Sequence, residues 1–104
     1  MSTPTKVAKV TLVTIVAGYE LKERISKDLG TFGVSGCTIV RADGHGLHGS
    51  RKFGFVDGAN IRIEVLVSHD VGEKILGLMA TSYAGDAALA YAQDVRAVPF
   101  EHFP

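Results

Sequence analysis

An α+β sandwich, a four-stranded antiparallel sheet with two helices on one face, is the fold class this sequence predicts. Three observations carry it. Four runs rich in Val, Ile and Thr read as strands. Two amphipathic runs of helical period fall between the first and second strands and between the third and fourth. Finally, 104 residues leave room for one core, so the chain is expected to form a single domain over 1–104. The order β-α-β-β-α-β in so short a chain folds naturally as a ferredoxin-like sandwich.

Each element has its own signal. Residues 6–16 place Val7, Val10, Leu12, Val13, Ile15 and Val16 on both faces of an extended segment, the pattern of a central strand covered on two sides. From Tyr19 the period changes. Leu21, Ile25, Leu29 and Phe32 recur at helical spacing, with Glu20 and Glu23 in the first turn and Gly30 and Gly33 near the end. Residues 34–41 return to a β-type run through Cys37, Ile39 and Val40, and Ile61, Ile63, Val65 and Val67 then alternate with Arg62, Glu64, Leu66 and Ser68. Asp70 and Glu73 have capping-box spacing with Asp70 as the cap, and Val71, Ile75, Leu78 and Met79 form the stripe of a second helix that stops near Gly85. Residues 89–98 make a fourth strand, where Gln93 and Asp94 break the alternation as a bulge or a sheet edge does. Two helices on one face leave the other bare. Because the first strand is apolar on both sides, further copies of the chain are expected to cover it.

Composition excludes several classes of function. Eleven basic residues balance eleven acidic ones, so the broad positive field used by sequence-independent nucleic-acid binding is missing and no nucleic-acid partner is expected. Thr, Lys or Arg interrupts every apolar run well before membrane-spanning length, and the N-terminus has no leading apolar core. No membrane insertion is expected. The single Cys37 cannot form an internal bridge; it reads as a buried, reduced thiol in a cytoplasmic protein.

Residues 43–58, DGHGLHGSRKFGFVDG, join the second and third strands and hold five of the twelve glycines. A hairpin needs only two to five connecting residues, so this segment reads as a flexible binding or partner-contacting loop. Gly44-His45-Gly46-Leu47-His48-Gly49 matches a G-x-G-x-x-G string, but a dinucleotide fingerprint must open a helix, and here the chain runs on into another strand. The glycine N–H groups beside Arg51 and Lys52 can still cradle a phosphate, or the same segment can simply be solvated. His45 and His48 have Asp43 and Asp57 nearby but no Cys, which is a poor zinc set. No nucleophile or paired carboxylate stands beside them, so no catalysis is expected. Glu64 shares a face with Arg62, as an ion pair or an intersubunit contact would require. Gly85 can serve simply as a helix C-cap.

The order of elements, the long loop and a Gly-Asp turn before the last strand together resemble the PII signalling proteins over nearly the whole chain. The residues that carry the resemblance are Gly33-Val34-Ser35-Gly36-Cys37-Thr38, Gly44-x-Gly46, Ile61-Arg62-Ile63-Glu64-Val65 and Gly85-Asp86. They look like the family's G-[IV]-[ST]-G-x-T, G-x-G, [VI]-K-I-E-[IV] and G-D-G-K. The resemblance implies a homotrimer that binds adenine nucleotides in clefts between subunits, with the loop at 43–58, the T-loop, contacting a target. It places Thr38 and Glu64 near the base and makes Leu66 a further nucleotide contact. Gly44 and Gly46, with Gly85, Asp86 and Ala87 of the B-loop, would face ribose and phosphates.

Departures from the family pattern narrow the expectation. Ala88 replaces the B-loop lysine that grips phosphate, and the C-terminal arginines are missing around residues 99–102. Gly18 stands where the family has a lysine for 2-oxoglutarate, and His48 where it has the loop glutamine. The loop has no tyrosine to be uridylylated. These departures resemble the carboxysome-associated PII-like proteins (CPII) and the SbtB group, which implies ADP or AMP as ligand. They also imply bicarbonate, with Arg51, Lys52 and His45 as anion contacts, and a membrane transporter as a possible target. A CutA-like metal-binding trimer is the alternative.

Overall fold

The computed structural model describes residues 6–34, 36–43 and 59–103. The strands are β1 (Ala8–Gly18), β2 (Thr38–Ala42), β3 (Asn60–Val67) and β4 (Leu89–Ala97); the helices are α1 (Lys22–Gly30) and α2 (His69–Ser82). Short 3-10 turns at Tyr19–Leu21 and Phe100–His102 complete the described chain. All pairings are antiparallel, and the sheet runs in the order β2-β3-β1-β4. The predicted ferredoxin-like sandwich is the fold observed.

The β period of two decides which face of the sheet each residue occupies. Val13, Ile15 and Ala17 of β1 lie level with Val65, Ile63 and Ile61 of β3, and all are buried in one cluster with Ile25 and Leu29 of α1 and Ile75 and Met79 of α2. Each Val, Leu, Ile or Met side chain among them contributes roughly 1.5–3 kcal/mol when taken fully out of water. Gly72 lets α2 settle onto β1, since a Cβ there would meet Thr11 Cγ2 at 3.0 Å. Gly33 turns the chain out of α1 at φ 78°, a conformation that costs glycine no side-chain clash.

The alternate positions face away from the helices. Thr38, Glu64, Thr14 and Tyr91 stand in one row across the four strands, flanked by Val40 and Arg62 on one side and Leu66 and Gln93 on the other. Thr14 in the centre is buried, but Val40, Leu66 and Tyr91 are 37%, 42% and 45% exposed. On β1 itself Val10, Thr14 and Val16 of this face are buried, whereas Val40, Leu66 and Tyr91 on the other three strands leave apolar surface uncovered in the single chain.

Two local expectations need correction, and of two alternatives offered for a third feature one is selected. Asp70 does not cap α2: Ser68 sits in extended backbone and its hydroxyl accepts from the Val71 N–H at 3.2 Å, which leaves Asp70 in the first helical turn. Gln93 and Asp94 mark a sheet edge and not a bulge, because β1 and β4 pair one to one from Leu89 to Ala97. Cys37 is exposed, because β2 starts one residue later and is itself an edge strand, so its apolar neighbours do not enclose the thiol.

Candidate functional site

The predicted site residues that the structure describes fall into two groups at opposite ends of the sheet. At the end where β1 begins and β3 finishes lies an open groove of about 720 Å³, lined by Thr38, Glu64 and Leu66 among others. Thr38 and Glu64 are direct cross-strand partners, which sets a hydroxyl beside a half-buried carboxylate. Phe32 beyond α1 and Phe100 and Phe103 from the C-terminal turn supply aromatic surface to the same groove. A hydroxyl, a carboxylate and aromatic rings around a concave space suit a planar ligand that carries hydrogen-bond donors.

The second group is the turn at residues 85–87, between α2 and β4. It lies at the other end, where Val16 pairs with Leu89 and β1 finishes at Gly18. Between the Thr38 row, level with Thr14, and Gly18 there are four residues of strand, about 13 Å. The turn is closed by the Asp86 N–H donating to the Tyr83 carbonyl at 3.0 Å, and Ala87 adopts φ 55°. A Cβ on Gly85 would meet nothing within 4 Å, so its own chain does not demand glycine there; a closely approaching ligand would. Ala88 packs against the core and offers no cation, as the sequence implied.

A clamp that sequence reasoning missed holds this turn. Arg24 of α1 donates to Asp86 Oδ2 at 3.2 Å and to the Ser82 carbonyl at 2.8 Å, and its guanidinium lies 4.2 Å from the centre of the Tyr83 ring. The buried Tyr83 hydroxyl donates to Asp28 Oδ2 at 2.6 Å. Burial first, then the Asp28 hydrogen bond and charge, push this phenol well above the ordinary tyrosine range. Arg24 and Asp28 are four residues apart on one helical turn, the only signal available in advance. Nothing in the sequence ties them to groups 55–62 positions away.

Gly44, His45, Gly46, Arg51 and Lys52 lie outside the described residues, as does His48. The two ends of their segment are described. β2 ends at Ala42, and the Ala59 carbonyl accepts from the Tyr19 N–H at 3.0 Å, which brings both ends to the side of the sheet that carries the 85–87 turn. Arg41 and Lys22 lie 5.6 and 5.7 Å from the Tyr19 ring there. Among the described residues no cluster of three or more His, Cys, Asp and Glu side chains could hold a metal. No described helix is long and apolar enough to cross a membrane.

Comparison with known proteins converges on one family. No curated protein matches the chain. A protein of Thermus thermophilus assigned to the PII-like signalling proteins is 34% identical, with a TM-score of 0.80 over 96% of this chain and 100% of that one. CPII from Thiomonas intermedia K12, described as a nitrogen regulatory PII-like protein, shares the fold at 22% identity. Its complex with ADP and bicarbonate matches at TM-score 0.81 over 97% of this chain and 100% of that one. The complex with ADP, AMP and bicarbonate, also 22% identical, matches at 0.74 over 88% and 96%. The family model for nitrogen regulatory protein P-II matches residues 10–99, and the chain therefore belongs to the P-II family.

Proposed function

We propose that this protein is a non-enzymatic P-II regulator that binds ADP or AMP in clefts between the subunits of a homotrimer. The observation that carries this reading is the placement of the two site groups. Thr38, Glu64 and Leu66 line a groove at one end of the sheet, while the 85–87 turn lies at the other. Within one copy about 13 Å of strand separates the two groups. A neighbour that lays its groove against the turn completes the site, and the uncovered sheet face supplies the apolar surface for that assembly. The base then sits by Thr38 and Glu64, and the phosphates meet the backbone N–H groups of residues 85–87.

Ala88 sets the nucleotide preference. Without a cation at that position the terminal phosphate of ATP gains no charged contact, so ADP and AMP bind more tightly. CPII complexes with ADP, AMP and bicarbonate support bicarbonate as a second ligand, with Arg51, Lys52 and His45 as its contacts. The segment 43–58 is then a ligand-ordered T-loop, and its ordered shape is what a partner such as a membrane bicarbonate transporter reads.

Calorimetric titration with ADP, AMP and ATP at matched salt and magnesium tests the nucleotide reading. ADP and AMP are expected to bind more tightly than ATP. Saturable zinc or copper binding with no nucleotide binding would overturn it in favour of a metal-binding trimer. Hydrogen exchange across residues 43–58, with and without ADP plus bicarbonate, tests the loop; unchanged exchange at saturation would contradict a ligand-ordered switch.

A further inference from the structure

Asp86 poses a problem for any phosphate that approaches the 85–87 turn. Its side chain is one-third exposed, so it would set a full negative charge beside an anionic ligand. The structure answers with Arg24, which reaches over from α1. One guanidinium nitrogen takes the Asp86 carboxylate at 3.2 Å and another takes the Ser82 carbonyl at 2.8 Å, where α2 ends. The guanidinium carbon lies over the buried Tyr83 ring, 4.2 Å from its centre, and Tyr83 is anchored in turn to Asp28 on the same helix as Arg24. A planar fork with two acceptors and a ring to stack on has few alternative rotamers, which is the situation that favours arginine over lysine. The turn it braces includes Ala87 at φ 55°, a conformation that a non-glycine residue keeps only when its surroundings impose it.

We propose that Arg24 is the positioning residue for phosphate recognition in this protein. It cancels the Asp86 charge and holds the 85–87 turn in the shape that accepts the phosphate, without touching the ligand. The proposal rests on the nucleotide reading given above and adds to it a residue from a different element. The role is electrostatic, so its loss should scale with ligand charge; a brace that merely supported the fold would weaken every ligand alike.

The test compares wild type, Arg24→Met, which keeps an apolar stem over Tyr83, and Arg24→Met combined with Asp86→Asn. Calorimetry is run with adenosine, AMP and ADP on protein whose melting curve shows it folded. Arg24→Met should weaken ADP about tenfold, AMP less, and adenosine not at all, and the added Asp86→Asn should restore at least half of the ADP loss. Equal losses for adenosine and ADP, or no loss for ADP, would overturn the proposal. If wild type binds none of the three, the nucleotide reading fails. The phosphate role of Arg24 then falls with it, whereas a wild type that binds ADP beside an Arg24→Met variant that binds it equally well overturns the positioning claim alone.

Discussion

At Tyr83 a buried phenol and a carboxylate share a short hydrogen bond, and this one contact makes stability depend on pH. The ordinary phenol value is 10.0 and folding raises it. A raised acid is stabilised in its neutral form by the native state, so the contribution is complete below pH 10 and is lost as pH climbs toward the raised value. Tyr83→Phe should therefore cost about 1 kcal/mol at pH 7 in urea denaturation. Its deficit against wild type should shrink in strongly alkaline buffer; parallel curves at pH 7 and pH 11 would contradict this account. Gly85 makes a different demand. Its neighbourhood is open, so Gly85→Val should shift folding stability by no more than about 0.5 kcal/mol. The same change should abolish calorimetric ADP binding, because the added side chain occupies the ligand's space and not the protein's. Such residue-level features were only partly legible in the sequence. Glu64 and Arg62 share a face because a strand repeats every two residues, which can be read directly. Arg24 could not be matched with Asp86, since no local period links positions 62 apart.

Elements were read more securely than their ends. Both helices and all four strands follow from apolar periodicity, because each buries one face or two, and burial is the strongest constraint on sequence. Boundaries depend on single hydrogen bonds. The second helix shows this: Asp70 and Glu73 have cap-like spacing, yet Ser68 is the residue held in extended backbone with its hydroxyl on the Val71 N–H. Ser68→Ala should lower the urea midpoint by the equivalent of about 1 kcal/mol. Asp70→Ala, which removes only a favourable charge from the first turn, should cost about 0.3 kcal/mol. Equal costs would put the cap back at Asp70. Cys37 was misread for a related reason. Its run looked apolar enough to be a buried strand, but an edge strand that begins at Thr38 leaves the preceding residue outside the core.

For the whole molecule, the uncovered sheet face and the divided site make the same demand for neighbouring copies. Tyr91→Glu puts a charge on that face where Thr14 and Glu64 stand in the same row. Light scattering should show its mass falling from about three times 11.0 kDa to that of one chain; an unchanged mass would remove this face from the assembly. The residues proposed for the two site groups came from the motif resemblance. That they lie at opposite ends of the sheet was not legible in the sequence, because it follows from the strand register. The most direct measurement is subunit mixing. Glu64→Ala damages the groove and Gly85→Val damages the turn, so each variant alone should fail to bind ADP. Co-refolded in equal amounts, they place an intact groove against an intact turn in about one cleft in four. Calorimetry of the mixture should then recover ADP binding at about a quarter of the wild-type stoichiometry. No recovery in trimers shown to be mixed would mean that each site is built within one chain, and would contradict the account.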